Sequence, residues 1–250
     1  MRHFPTLSIA LFTTALLIGC AKDGDTGPAG APGPSLSGDL LGFVQLFDQY
    51  GAHVLVDLDS ANVSIDGTSM TSWSDSLGKY TVSGLHTGTY DVTCTKSGYG
   101  TMKVNSLQFV GGGDLQRDLR MAAIPTFMLD SISVNSAPGG LVVNGFAPVE
   151  TQPRTVLVFV GTGAGTSADP ATYLTFYNKN IAVNQNNFNI QIPASDFAAM
   201  GLSSGSTVYF AAYAATPNFQ NTSSYEDPAT GRTVFTAIGA SAYTASALVP

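Results

Sequence analysis

Cations and histidines are scarce in this chain of 250 residues, and their scarcity excludes several functions. Lysine and arginine total 10 against 17 aspartates and glutamates, a formal net charge of −7. A polyanion-binding surface needs the opposite balance, so no nucleic acid is expected as a partner. The acids are spread along the chain without a block of like charge, which suits solubility better than an acidic binding face. Of the three histidines, His3 lies in the apolar amino-terminal segment, and His53 and His86 stand in turn surroundings without a carboxylate or cysteine at ligand spacing. A zinc site draws on three or four such ligands, so none is expected. Gly161-Thr162-Gly163-Ala164-Gly165-Thr166 is glycine-rich, yet no lysine follows and the next segment is polar, which excludes a phosphate cradle. No Gly-x-Ser-x-Gly elbow appears. No catalytic residue is assigned, and the chain is expected not to be an enzyme. Beyond residue 18, no segment is apolar for the roughly 18 residues that a spanning helix needs.

What is present begins with an address. Met1 to Gly19 has a basic start at Arg2 and an apolar stretch from Leu7 to Ile18, in the proportions of a secretory signal of about 7–15 apolar residues. It ends Leu17-Ile18-Gly19-Cys20, which resembles the bacterial lipobox. That resemblance implies cleavage before Cys20, acylation of its sulfur and new amino terminus, and a partner in membrane lipid. The expected location is the cell envelope, lipid-anchored, in the outer membrane and exposed at the surface. With Cys20 lipidated, Cys94 has no disulfide partner. In Tyr90-Asp91-Val92-Thr93-Cys94 it shares one strand face with Tyr90 and Val92, as a small core residue would.

Residues 24–35 follow a glycine-every-third register, Gly-Asp-Thr, Gly-Pro-Ala, Gly-Ala-Pro, Gly-Pro-Ser. Four triplets are few to wind three chains together, and residues 20–35 are expected to be a flexible Gly/Pro-rich spacer.

Residues 36–122 show short apolar runs separated by turn clusters, the pattern of an antiparallel β-sandwich. The turns Asp48-Gln49-Tyr50-Gly51, Asp66-Gly67, Asp75-Ser76-Leu77-Gly78 and His86-Thr87-Gly88 each end in a glycine able to supply positive φ. The series Gly42-Phe43-Val44, Val63-Ser64-Ile65-Asp66-Gly67, Asp75-Ser76-Leu77-Gly78-Lys79-Tyr80, Leu85-His86-Thr87-Gly88-Thr89-Tyr90 and Gly98-Tyr99 resembles the carboxypeptidase regulatory-like domain. The resemblance implies a transthyretin-like sandwich that accompanies enzymes and surface proteins and carries no catalytic residues. In Leu85-x-x-Gly88-x-Tyr90, the leucine would plug the sandwich end, the glycine would turn the chain, and the tyrosine would set its hydroxyl near polar backbone.

Pro125 marks a boundary. Residues 125–250 carry seven strand signals, at 127–134, 141–146, 155–160, 173–183, 188–192, 207–214 and from 233 to 240 or beyond, for a second sandwich of immunoglobulin or fibronectin type III kind. Ser195 to Met200 predicts a helical turn with a serine cap and a stop at Gly201. The step from Leu202 to Tyr209 is similar to the one before a fibronectin type III tyrosine corner. Two Asp-Pro-Ala-Thr segments, 169–172 and 227–230, predict turns. The fold class is therefore all-β: two tandem antiparallel sandwiches after a cleaved signal and a linker.

Candidate ligand-binding residues are aromatic. Trp73, the only tryptophan, offers a stacking plane, although a strand position between Ser72 and Ser74 reads first as partly buried packing. Tyr177, Phe188, Phe219 and Tyr225 lie among Asn178, Asn180, Asn184, Asn186, Asn187, Gln220 and Asn221, a mixture suited to glycans. Asp57-Leu58-Asp59, with Asp66 or Asp75, could supply oxygens to a loop calcium ion; solvated loops are the simpler account. Two functions stay open: a binding, adhesion or structural module meeting an envelope protein, or a carbohydrate-binding accessory meeting an extracellular glycan.

Overall fold

The computed structural model describes residues 35–217, 224–240 and 242–250, and Ser35–Pro250 forms one compact unit. The signal, Cys20 and the glycine-rich linker lie outside the described residues, as do Phe219, Gln220 and Asn221. The fold is all-β, built from strands with a single short helix among the described residues.

Nine strands make the first sandwich: β1 (Ser37–Phe47), β2 (His53–Val54), β3 (Asn62–Ile65), β4 (Thr71–Trp73), β5 (Lys79–His86), β6 (Gly88–Thr95), β7 (Met102–Phe109), β8 (Leu115–Gln116) and β9 (Leu119–Ala122). One sheet centres on β1, with β5 and β2 antiparallel to it and β8 and β9 parallel to it. The other sheet runs β4-β3-β6-β7. Alternation does the sorting: Val63, Ile65, Val92 and Cys94 turn inward to meet Leu40, Val44, Leu46, Tyr80, Leu119 and Met121 from the facing sheet. The return of residues 111–118 across β1 needs a strand without side-chain bulk there. A Cβ on Gly42 would stand 2.0 Å from the Arg117 carbonyl oxygen.

The Leu85-x-x-Gly88-x-Tyr90 step performs two of its three expected roles. Leu85 is fully buried in the core, and the Tyr90 hydroxyl donates to the His86 carbonyl at 2.9 Å. Gly51, Gly67 and Gly78 have positive φ, but Gly88 lies within β6 and does not. Its small size serves instead to seat Tyr90, whose ring would lie about 3.2 Å from a Cβ there.

The second set of strands is β10 (Ser131–Ala137), β11 (Gly140–Phe146), β12 (Arg154–Gly161), β13 (Thr175–Ile181), β14 (Asn187–Pro193), β15 (Thr207–Ala215), β16 (Ser224–Glu226), β17 (Thr233–Phe235) and β18 (Tyr243–Leu248), with α1 (Ala194–Ala199) after β14. A three-stranded sheet, β10-β11-β14, faces a four-stranded sheet, β13-β12-β15-β18. In constant-type immunoglobulin sandwiches the fourth strand joins the first sheet; here it pairs with the third.

Two local expectations are corrected. The seventh strand is β18, not residues 233–240; β17 pairs with β16 in a separate hairpin instead. The small alternating residues of Tyr243-Thr244-Ala245-Ser246-Ala247 give β18 a weak apolar signal, whereas Phe235 and Ala237 give 233–240 a strong one by covering another layer. The helix begins after Pro193, with no side-chain cap, so Ser195 lies inside it; Gly201 stops it with φ of 77°.

The two sandwiches meet in a bonded seam. Gln49 Oε1 accepts from the Thr126 amide (2.7 Å) and hydroxyl (3.0 Å), the Tyr50 hydroxyl donates to Glu150 Oε2 at 2.6 Å, and Asn105 Nδ2 donates to the Glu226 carbonyl at 2.8 Å. At Gly100 a Cβ would stand 2.5 Å from the Thr236 carbonyl carbon, so the backbones touch there.

Candidate functional site

The two four-stranded sheets differ on their outer faces. In the second sandwich, β12 is buried at all eight positions. Val156, Val158 and Val160 face the inter-sheet core, while Leu157 and Phe159 face an outer layer with Tyr173, Ala215 and Phe235. Phe159 sits 5.1 Å from Tyr173, 5.7 Å from Tyr213 and 5.3 Å from Phe235, ring centre to ring centre. The hairpin β16–β17 supplies Phe235 to this cover. The Arg232 guanidinium lies 5.8 Å over Tyr173 and donates to the Pro170 carbonyl, tying the two Asp-Pro-Ala-Thr turns together. Each turn is closed as expected, with Asp169 accepting from the Ala171 amide and Asp227 from the Ala229 amide and the Thr230 hydroxyl.

The outer face of β4-β3-β6-β7 carries no such layer. Trp73 pairs with Asn62 and Thr71 with Ser64, while Thr95 and Thr93 continue the two rows on β6. Since Val63, Ile65, Val92 and Cys94 point inward, these six side chains share the outward face. Trp73 is 64% exposed, which corrects the expectation of a partly buried packing residue. It falls on β4, the edge strand of this sheet. Its neighbours are neutral and ordered: Asn62 Nδ2 donates to Thr71 Oγ1 at 2.8 Å, and Thr71 Oγ1 donates to the Val63 carbonyl at 3.1 Å. Charge alongside is paired: Asp66 accepts from Thr93 Oγ1 at 2.9 Å and meets Lys103 Nζ at 3.5 Å. The polar members of this face went unnoticed in the sequence, although Asn62-Val63-Ser64-Ile65 and Val92-Thr93-Cys94-Thr95 alternate cleanly.

Among the described residues, the aromatic candidates of the second sandwich, Tyr177, Phe188 and Tyr225, are not brought together. Phe188 is buried in the inter-sheet core. Tyr177 packs partly against that core and its hydroxyl donates to Asp196 Oδ2 at 2.7 Å; burial and the carboxylate hold its pKa well above 10. Tyr225 is half-buried on β16, opposite Val234, in the hairpin that covers the other side of the sheet.

Of the carboxylates considered for calcium, Asp66 is engaged as above, and Asp75 accepts from the Leu77 and Lys79 amides at 2.9 Å each to close its turn. Asp57 and Asp59 are exposed, and among the described residues no group of three or more His, Cys, Asp or Glu side chains is placed to hold a metal ion. Cys94 is fully buried with its Sγ 3.3 Å from Met121 Sδ, and burial pushes its thiol up to about 12.

One buried charge escaped the sequence. Arg154 opens β12 with no exposed surface; its guanidinium lies 6.0 Å from the Phe127 ring centre and Nη2 donates to the Gln185 carbonyl. Nε and Nη1 have no hydrogen-bond partner among the described residues. Such a group is costly and more often fixes a strand end than binds a ligand. No helix among the described residues is long and apolar enough to cross a membrane.

No curated protein sequence matches the chain. Among solved structures, the fold is similar to a candidate carbohydrate-binding protein from Bacteroides uniformis, 16% identical, covering 85% of this chain and 99% of that one, with a TM-score of 0.32. It is also similar to a DUF3823 family protein from Parabacteroides merdae, 11% identical over 82% of this chain and 98% of that one, with a TM-score of 0.28. A cohesin-X-dockerin complex from Acetivibrio cellulolyticus matches at 21% identity over 32% of this chain and 51% of that one, with a TM-score of 0.28. None of these likenesses is close enough to assign a ligand. The family match is sharper: residues 55–122, from the loop after β2 through β9, match the carboxypeptidase regulatory-like domain, the family whose motifs the same stretch displays.

Proposed function

We propose that this chain is a non-enzymatic lipoprotein of the cell envelope that holds a stiff pair of β-sandwiches away from the lipid and offers an open sheet face to a binding partner. The observation that carries the reading is the Leu17-Ile18-Gly19-Cys20 ending ahead of a chain whose residues from Ser35 onward form one compact unit. Each buried methylene of an acyl chain contributes about 0.8 kcal/mol, so two or more chains on Cys20 hold durably. The bonded seam supports a display role, because Gln49, Tyr50 and Asn105 fix one sandwich on the other. The test is the intact mass of the mature amino terminus, together with membrane sedimentation of Cys20→Ser. A mass that begins at Cys20 with acyl chains, and release of the variant into the aqueous phase, is the expected result. Continued sedimentation of the variant removes the anchor.

A second reading is favoured by the exposure of Trp73: a carbohydrate-binding accessory whose indole stacks on the C–H face of a neutral sugar, with Asn62, Thr71 and Thr95 beside it for hydroxyls. Because the chain has one tryptophan, indole fluorescence excited beyond the tyrosine absorption band reports on this face. Saturable change on titration with neutral polysaccharides supports the reading. No change, together with unaltered retention of Trp73→Ala on the same polysaccharides, eliminates it.

A further inference from the structure

A cleft of about 580 Å³ opens on the first sandwich, lined by Met102, Gln116, Arg117, Asp118 and Arg120. Its position follows from the topology. β7 ends the sheet β4-β3-β6-β7, and β8 and β9 pair with β1 at the border of the facing sheet, so the two borders leave a gap between them. Met102 comes from one side of that gap and the segment 116–120 from the other. The volume falls within the range of small-ligand sites. Two further cavities, of about 270 and 320 Å³, are lined by uncharged side chains.

The lining is unusual for this chain. Two arginines meet at one cleft in a protein of net charge −7. Leu119 and Met121 turn into the core, which sends Asp118 and Arg120 outward. Arg120 Nε donates to Gln45 Oε1 at 3.3 Å, and its two terminal nitrogens take no hydrogen bond among the described residues. Arg117 is pinned through its main chain, whose carbonyl accepts the Tyr80 hydroxyl at 2.6 Å, and its guanidinium takes no partner among the described residues. Asp118 Oδ1 accepts the Phe43 amide at 3.0 Å, which leaves Oδ2 without a hydrogen bond among the described residues. A guanidinium fork matches a carboxylate or sulfate oxygen pair. A carboxylate oxygen and the Gln116 amide pair with hydroxyls. The Met102 thioether suits an apolar C–H surface.

We infer that this cleft binds an acidic sugar residue on an otherwise neutral glycan, with its oxyanion held by Arg117 and Arg120, its hydroxyls by Asp118 and Gln116, and its ring against Met102. A polymer charged at every unit is opposed by the acid excess of the chain, which restricts the class to glycans with isolated acidic units. The inference does not depend on lipid at Cys20 and concerns a different surface from Trp73.

The experiment is calorimetric titration of the full chain in detergent with a glucuronic-acid-branched xylo-oligosaccharide and with sialyllactose, each beside its neutral parent, and with inorganic sulfate. At least one acidic glycan is expected to bind saturably and its neutral parent about tenfold more weakly, with affinity falling as salt is raised. Arg117→Gln and Arg120→Gln are each expected to weaken binding about tenfold at unchanged thermal midpoint, since both side chains are exposed. Arg117→Lys should retain part of the affinity. Equal affinity for the neutral parent, indifference to either arginine substitution, binding of sulfate as tight as that of the acidic glycan, or no binding of either acidic glycan would each overturn the assignment.

Discussion

The two four-stranded sheets of this protein share a construction and differ in what lies on their outer faces. β13-β12-β15-β18 is covered twice, by the inter-sheet core on one side and by Tyr173, Phe235 and their neighbours on the other. β4-β3-β6-β7 is covered once, and its outer rows are Trp73, Asn62 and Thr95 beside Thr71, Ser64 and Thr93. The difference separates a sheet used for strength from one left available. An aromatic residue on the first kind is part of a cluster and holds the fold. The single large aromatic on the second has no cluster to join, so its energetic contribution must come from outside the chain or be absent.

The contrast is broken most forcefully at Phe159. Removing a buried aromatic ring costs about 3–5 kcal/mol, and Phe159 touches four aromatic partners, Tyr173, Phe176, Tyr213 and Phe235. Phe159→Ala should lower the unfolding free energy measured by urea denaturation by an amount in that range, and hydrogen exchange should accelerate first in the hairpin β16–β17. A loss under about 1 kcal/mol would mean that the outer layer rests on the sheet without stabilising it, and the two sheets would then be alike.

A smaller effect tests the inner side of the open sheet. Cys94 lies on β6 behind the exposed row, and burial raises its thiol from 9.0 to about 12. A raised folded-state pKa means that the folded chain keeps the proton longer than the unfolded one. The associated stability is therefore complete below pH 9 and is lost as pH rises toward about 12, at up to about 1.4 kcal/mol per pH unit. Tyr80 and Tyr177, both raised chiefly by burial, add to the loss above pH 10. Denaturation measured from pH 8 to 11 should fall more steeply for the wild type than for Cys94→Ala. Equal slopes would show that the single core beneath the open face admits water.

How much of this was legible in the sequence depended on whether a signal had one cause or two. Strands with one wet face read correctly: the alternation in Val92-Thr93-Cys94 and in Leu119-Arg120-Met121 reports a single core, and Cys94 is buried as its register required. The run Val156-Leu157-Val158-Phe159-Val160 also read as buried, but its apolar second face reflects a separate outer layer that no local pattern announces. The same layer misplaced the seventh strand, because Phe235 is apolar for the sake of Phe159 and not for pairing in the sheet. Gly88 looked like a turn and is a seat for a ring, because Tyr90, two residues on, folds back over it. Trp73 failed for a reason of placement: hydrophobicity predicts burial, yet an edge strand buries one face only, and the outward register is set by Val63 and Ile65 on the next strand. The cleft of Arg117 and Arg120 depends on two sheet borders meeting, which spacing along the chain does not encode.

The gentlest substitution is the most discriminating. Trp73→Ala removes the largest side chain type in the protein from a position where it is mostly in water, and substitutions at such sites usually change stability by no more than about 0.5 kcal/mol. The thermal midpoint should therefore stay close to that of the wild type, while Phe159→Ala shifts it by several degrees or more. If Trp73→Ala instead destabilises the fold by 2 kcal/mol or more, a threshold taken from partial core truncations at about that size, the indole is packing against its own sheet, the outer face is not open, and the distinction between a covered and an available sheet fails at its only aromatic witness.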